Sequence, residues 1–279
     1  MTLSDLFRRM LVDSGQFLLL QAGLDTIEMN TDSFQLMVGN CLEIYNSYDP
    51  LDRRFNVVSD FTSYTFIGGD WEIPVFIAEI IPVVISGLPW YFQNWMTWQG
   101  KGFGDEFNPL SAIWRYNRPT LTFEYSGTFT VWATYNRPLI RFAGNWATAT
   151  SYNTEETVDV VKNGGITYAC IQSHTSAANN EPGVGANWTS FWSAYPYTPK
   201  SNLTAPYYDL PDVTTKDRRF LKLVLGRFFQ SLGTSRNTFV LSEVPVTSNA
   251  SELIARGEKL EEQSIKEMEE QGKWYISMA

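Results

Sequence analysis

The sequence predicts an α+β fold, with helices at both ends around a β-rich middle region and a small all-β inserted domain. Three observations predict it. Apolar residues recur with helical period from about residue 31 and again after residue 214. Between Arg54 and Ile140, short β-branched and aromatic runs are separated by Gly, Pro and Asn, the pattern of antiparallel strands. From Phe142 to Pro199 the composition shifts to Thr, Asn, Ser and Trp, with few long aliphatic side chains. The simplest organisation is a discontinuous host, residues 1–141 and 200–279, with an insert at 142–199 presented outward, where insertions cost least.

Taken in order, Ser4 to Val12 predicts a short helix with Leu6, Phe7, Met10 and Leu11 inward. Phe34, Met37, Val38, Cys41, Leu42 and Tyr45 form one face of a second helix, capped by Thr31 or Asp32 and ended by Asp49-Pro50. In the middle region, Leu121–Tyr125 and Thr128–Trp132 flank Ser126-Gly127, which predicts a hairpin. The tetrapeptide Tyr-Asn-Arg-Pro stands at both ends of it, at Tyr116–Pro119 and Tyr135–Pro138, and reads as matched strand-end chemistry. A helix starting at Thr214 or Thr215 carries Phe220, Leu221, Val224, Leu225, Phe228 and Leu232, with Gly233 expected to close it. A strand over Thr238 to Val246 follows. The last helix starts at the capping pattern Asn249-Ala-Ser-Glu252 and runs to Gly272. Its stripe of Leu253, Leu260, Ile265 and Met268 is thin and it carries seven glutamates, so it is exposed or leans on a partner.

Bulk properties narrow the function classes. The chain has 279 residues, enough for one large or two ordinary cores, and its 44% hydrophobic and 18% charged residues are a globular composition. A net charge of −9 argues against a surface built to neutralise phosphates, so no specific nucleic-acid binding is expected. Aromatic residues make up 15% of the chain, a surplus that suits β-rich packing first and interfaces second. Two cysteines, Cys41 and Cys170, are too few for a disulfide framework. The N-terminal residues do not read as a signal peptide, and Ile73–Trp90 is interrupted by Pro74, Glu79, Pro82 and Pro89, so no membrane span is expected.

Catalytic patterns are sparse. His174 is the only histidine, so any nucleophile–histidine chemistry or histidine metal site has to include it. A hydrogen-bonded structural imidazole is the better reading, and Cys170 with His174 alone is weak grounds for zinc. The run Gly100-Lys-Gly-Phe-Gly104 precedes Asp105 and Glu106, which would repel phosphate, and reads as a loop. Nothing selects a glycosidase carboxylate pair. The Asn-X-Thr triplets at Asn187 and Asn202 are chance-level matches. No enzyme activity, cofactor or metal is expected.

Two resemblances add to this reading. Trp146, Tyr152, Val158, Gly164-Gly165, Tyr168, Pro182-Gly183 and the closing Trp188 make residues 146–192 similar to the small three-stranded carbohydrate-binding modules of the chitin-binding kind found on chitinases and phage tail proteins. Glu155-Glu156 replace that pattern's Gly-Asp turn, and Gln172-Ser173 stand where its exposed aromatic pair is expected. The resemblance therefore implies a decoration module, with Trp146, Tyr152, His174, Trp188, Trp192 and Tyr195 as carbohydrate-binding candidates and a surface glycan as its partner. The host layout, with Trp114, Tyr116 and Pro119, then Gly226-Arg-Phe-Phe229, Ala255-X-Gly257 and Gly272-Lys-Trp274, resembles neck or head-to-tail connector proteins of tailed phages. That resemblance implies a virion structural protein assembled in the host cytoplasm, forming a neck ring with copies of itself and meeting portal, tail or neighbouring neck proteins. The alternative reading is a carbohydrate-binding or carbohydrate-processing protein acting through 142–199.

Overall fold

The structure is a computed structural model that describes residues 1–15, 29–60, 63–85, 114–123, 126–155, 157–200, 206–238 and 249–278. The fold is α+β, with helices near both ends and strands between them. The chain forms two compact units, one of residues 1–49 with 137–279 and one of residues 50–136. The glycine run at 100–104, Asn202 and nearly all of the strand expected over Thr238 to Val246 lie outside the described residues.

In the first unit, helix α1 spans Leu3–Ser14 and helix α2 spans Thr31–Tyr48. Thr2 caps α1 by accepting a hydrogen bond from the Asp5 amide, and Gly15, at φ 72°, closes it in the left-handed conformation that glycine tolerates. The cap of α2 is Asn30, whose Oδ1 accepts from the Ser33 amide at 2.7 Å, one residue before the expected Thr31. Both buried faces hold the residues their periodicity predicts, except that Met37 is only half-buried. Helix α3 spans Arg218–Thr238 and helix α4 spans Ala250–Met278. Phe7, Phe34 and Phe228 meet edge to face, with centroids 5.1 to 6.4 Å apart, so α1, α2 and α3 share one aromatic contact.

Helices α3 and α4 differ from expectation in an instructive way. Thr214 does not start α3; its hydroxyl and amide instead donate to Asp217 ahead of Arg218. Nor does Gly233 end it. Gly233 is buried against Ala250, Gly226 against Gly257, and Ser264 donates to the Arg219 carbonyl at 2.7 Å. The steps are seven residues on each helix and run in opposite directions, so an antiparallel seam of small residues lets the two backbones nearly touch. Lys222–Glu267 and Arg227–Glu261 pairs flank the seam. The polar last helix therefore leans on α3 of the same chain, and it continues past Gly272 to Met278.

The same unit contains a five-stranded sheet of order β12-β10-β9-β7-β13, built from β7 (Ile140–Asn145), β9 (Val158–Asn163), β10 (Ile166–Cys170), β12 (Trp192–Ala194) and β13 (Tyr207–Asp209). Among the described strands, only β7 and β9 pair in parallel. Strands β8 (Ser151–Tyr152) and β11 (His174–Thr175) form a separate two-stranded ladder. Residues 142–199 lie wholly in this unit, and their sheet runs on into β13. Asp209, at the end of β13, is buried and pairs with the Met1 ammonium at 2.9 Å and with Lys200 at 3.1 Å.

The second unit contains two three-stranded antiparallel sheets. One has the order β1-β6-β3, with β1 (Leu51–Ser59), β3 (Phe76–Ile85) and β6 (Gly127–Tyr135); the other has the order β2-β5-β4, with β2 (Ser63–Thr65), β4 (Trp114–Asn117) and β5 (Thr120–Phe123). Their inner faces share a core of Val57, Phe66, Ile77, Ile80, Leu121, Phe123, Phe129, Val131, Ala133 and Tyr135. The hairpin expected between β5 and β6 does not form. Both edges of β6 are taken by β1 and β3, and β5 pairs with β2 and β4. Phe123 instead stacks on Phe129 at 4.4 Å and 20°. Alternation specifies the face a residue occupies, not the strand beside it. The two Tyr-Asn-Arg-Pro motifs do stand at strand ends. Arg118 pairs with Asp70 in this unit, while Arg137, in the first unit, lies over the Tyr45 ring and donates to the Asp49 carbonyl.

Candidate functional site in the aromatic module

The six candidate residues lie in the module around β8–β12, and the structure divides them. Tyr152 and Trp192 are 1% exposed and form the module's core with Val161, Tyr168 and Cys170. Their polar atoms are engaged internally: Trp192 Nε1 donates to the Asn180 carbonyl at 2.9 Å, and the Tyr152 hydroxyl accepts from the Ala147 amide at 3.1 Å. Neither ring has a free face for a sugar, so these two candidates are packing residues. Trp146 and Trp188 are half-buried and pack on the same core, while Tyr195 is half-buried and lies parallel to Tyr197, with centroids 6.4 Å apart.

His174 is the hub of this arrangement. Its ring packs on Phe191 at 4.7 Å, Trp192 at 5.1 Å and Tyr152 at 6.0 Å between centroids. Nδ1 lies 2.7 Å from the Gln172 carbonyl oxygen, which can only accept, so Nδ1 carries the proton. Cys170 Sγ donates to that same carbonyl at 3.1 Å. The 3.7 Å between Cys170 and His174 is therefore the spacing of two donors on one acceptor, not of a thiolate and its base. Among the described residues no group of three or more His, Cys, Asp or Glu side chains could hold a metal ion.

Burial pushes the Cys170 thiol up to about 12, although its hydrogen bond to Gln172 pulls the other way, and burial pushes Cys41 up to about 12 as well. The sign follows from an unfolded value of 9.0: the folded state holds its thiol protons more tightly, so this contribution is intact below pH 9 and is lost as pH rises toward 12. At about pH 8 the native protein is expected to show neither thiol to an aromatic disulfide reagent, and both after unfolding. Rapid labelling of Cys170 in the folded protein would contradict its place in the core.

Sequence reasoning missed the residues that hold the module together. Asp159 is fully buried and accepts two bonds from Arg141, at 2.6 and 2.7 Å, and one from the Asn153 amide. Asn180 accepts from the Ala177 amide and donates to the Thr175 carbonyl, which fixes the loop beneath Trp192. Asn163 opens the β9–β10 turn at Gly164-Gly165, whose φ values of 56° and 86° suit a type I′ turn. Its side chain reaches Glu181 and the Pro182 carbonyl. Short polar residues of this kind carry no periodic signal, and only the Gly-Gly turn marks its own place.

Comparison with protein-family models, with curated proteins and with solved structures found no match to this chain. Among the described residues, no helix is long and apolar enough to cross a membrane.

Proposed function

We propose that the protein is a non-enzymatic structural component of a tailed-phage virion, part of the neck ring joining portal to tail, with the aromatic module as a decoration. The observation that carries the non-enzymatic part is the use of the reactive side chains. The single histidine sits among aromatic rings with Nδ1 bonded to a carbonyl, and both cysteines are buried as protonated thiols. The location in the neck rests on the sequence resemblance of the host layout. A chain of this kind acts through surfaces, and its −9 charge suits a passage that DNA traverses without being gripped.

Immunogold microscopy of virions with an antibody raised against residues 142–199 tests the reading. Gold at the head–tail junction is the expected result. Intact particles without label, with the protein free in the lysate and retained on chitin, would favour the carbohydrate reading instead. One observation speaks for that second reading: Trp146, Trp188 and Tyr195 are not fully enclosed. Replacing 146–192 by a short turn, which leaves the β7–β13 pairing in place, would then abolish function, whereas a decoration is dispensable for assembly.

A further inference from the structure

The two outer faces of the 50–136 unit are unlike each other. On the β2-β5-β4 sheet the exposed residues include Ser63, Thr65, Arg115, Asn117 and Thr122, an ordinary solvated surface. On the β1-β6-β3 sheet, Val58, Phe76, Ile81 and Val83 are 76%, 61%, 46% and 59% exposed. These lie around Trp132, which is half-buried at the centre of the face. Apolar area of this kind on one face only marks an interaction surface.

Two hydroxyl donors of this face are already partnered within it. Thr130 donates to Asn56 at 2.9 Å and Thr134 to the Phe76 carbonyl at 3.3 Å. Covering them would strand no donor. Strand addition along the β3 edge is discouraged by two register shifts and by Pro82, which lacks an amide hydrogen. The surface is therefore suited to docking face to face.

The charges of the central row identify the occupant. Arg54 on β1 and Glu79 on β3 both stand opposite Trp132 on β6, one on each side, and the Arg54 guanidinium lies 4.3 Å from the Trp132 ring centre. A two-fold axis between two such sheets, parallel to β6, exchanges the β1 and β3 sides while keeping the row. Arg54 of one copy then meets Glu79 of the other, twice, and the two Trp132 rings face each other. The same operation carries Val58 over the far end of β3, where Val83 lies, across the roughly 10 Å spacing of packed sheets.

We infer that this face is an isologous contact between two copies of the chain, centred on the Arg54–Trp132–Glu79 row. The pairing goes beyond the virion reading and stands without it, since it is measured on the free protein rather than on particles. Light scattering on the full chain is expected to give a dimer. Arg54→Glu and Glu79→Arg, each striking both symmetric pairs, are each expected to raise the dimer dissociation constant at least about a hundredfold, because like charges facing across an interface cost several kcal/mol. The double variant Arg54→Glu with Glu79→Arg is expected to restore dimerisation, which a misfolded or merely destabilised sheet would not do. Unchanged circular dichroism in the single variants confirms that the fold survives. A monomeric wild type overturns the proposal and leaves the face to another occupant. An oligomer indifferent to both single variants, or a double variant no better than either, overturns it equally.

Discussion

Gly257→Val is expected to lower stability by at least about 3 kcal/mol and to shift the urea midpoint downward. A Cβ at Gly257 would stand 2.5 Å from the Gly226 carbonyl oxygen, 2.7 Å from Gln230 Cγ and 3.0 Å from the Gln230 amide. Two of these three atoms are backbone, so no rotamer change relieves the clash. The helices must separate, and the separation is felt along the whole seam, including Gly233–Ala250 and the Ser264 hydrogen bond to Arg219. Gly39→Ala is the contrasting control. Gly39 lies inside α2 with nothing within 4 Å of an added Cβ, so alanine there is expected to stabilise by about 0.5–1 kcal/mol through helix propensity alone. If Gly257→Val unfolded at the wild-type midpoint, the close crossing of α3 and α4 would be wrong.

That seam shows where sequence reading succeeds and where it stops. The amphipathic faces of α1, α2 and α3 were legible because burial of Leu, Phe and Val repeats with the helix period. Gly233 was legible only as a helix stop, since a glycine required by a neighbouring backbone looks the same in sequence as one required by a cap. The neighbour is Ala250 and Ile254 on α4, which no local pattern around Gly233 contains. The thin stripe of α4 has the same explanation, because a helix that approaches its partner through Ala250, Gly257 and Ser264 needs few large side chains on the contact.

In the strands the division falls elsewhere. Leu121, Phe123, Phe129 and Val131 are all buried, as their alternation requires, but pairing is a choice among several strands of similar pattern. Phe123 and Phe129 meet as stacked rings between sheets and not as rungs of one ladder. At the candidate site, Tyr168 and Cys170 are buried in the small core, with Trp188 packed against it. Tyr152 and Trp192 are residues of the right type in positions where the ring is enclosed, and aromatic identity alone does not separate a stacking platform from a core.

Asp159→Ala is the second large effect. Asp159 is 1% exposed at its side chain and is the sole carboxylate on the Arg141 guanidinium among the described residues, in a fork-to-fork geometry with both bonds under 2.8 Å. The pairing raises Arg141 above its ordinary value, first through that hydrogen bond and then through the charge itself, against the opposing effect of burial. Truncation leaves the guanidinium without its carboxylate, with the Tyr208 side chain as a remaining partner, and the Asn153 amide without its acceptor, both at the β7–β9 parallel pairing that joins the module to the rest of its sheet. Removing one member of a buried ion pair costs about 3–5 kcal/mol. Because the Arg141 side chain is 31% exposed and can turn toward water, the lower end, about 3 kcal/mol, is expected. Asp159→Asn keeps the shape and one acceptor for the Asn153 amide, so it is expected to cost about half as much. Hydrogen exchange should localise the loss to β7, β9 and the Tyr152–Asn153 segment, with α3 and α4 protected as in the wild type. Uniform loss of protection across the unit would mean that Asp159 supports the whole core, and an unchanged melt would mean that the ion pair contributes nothing to it.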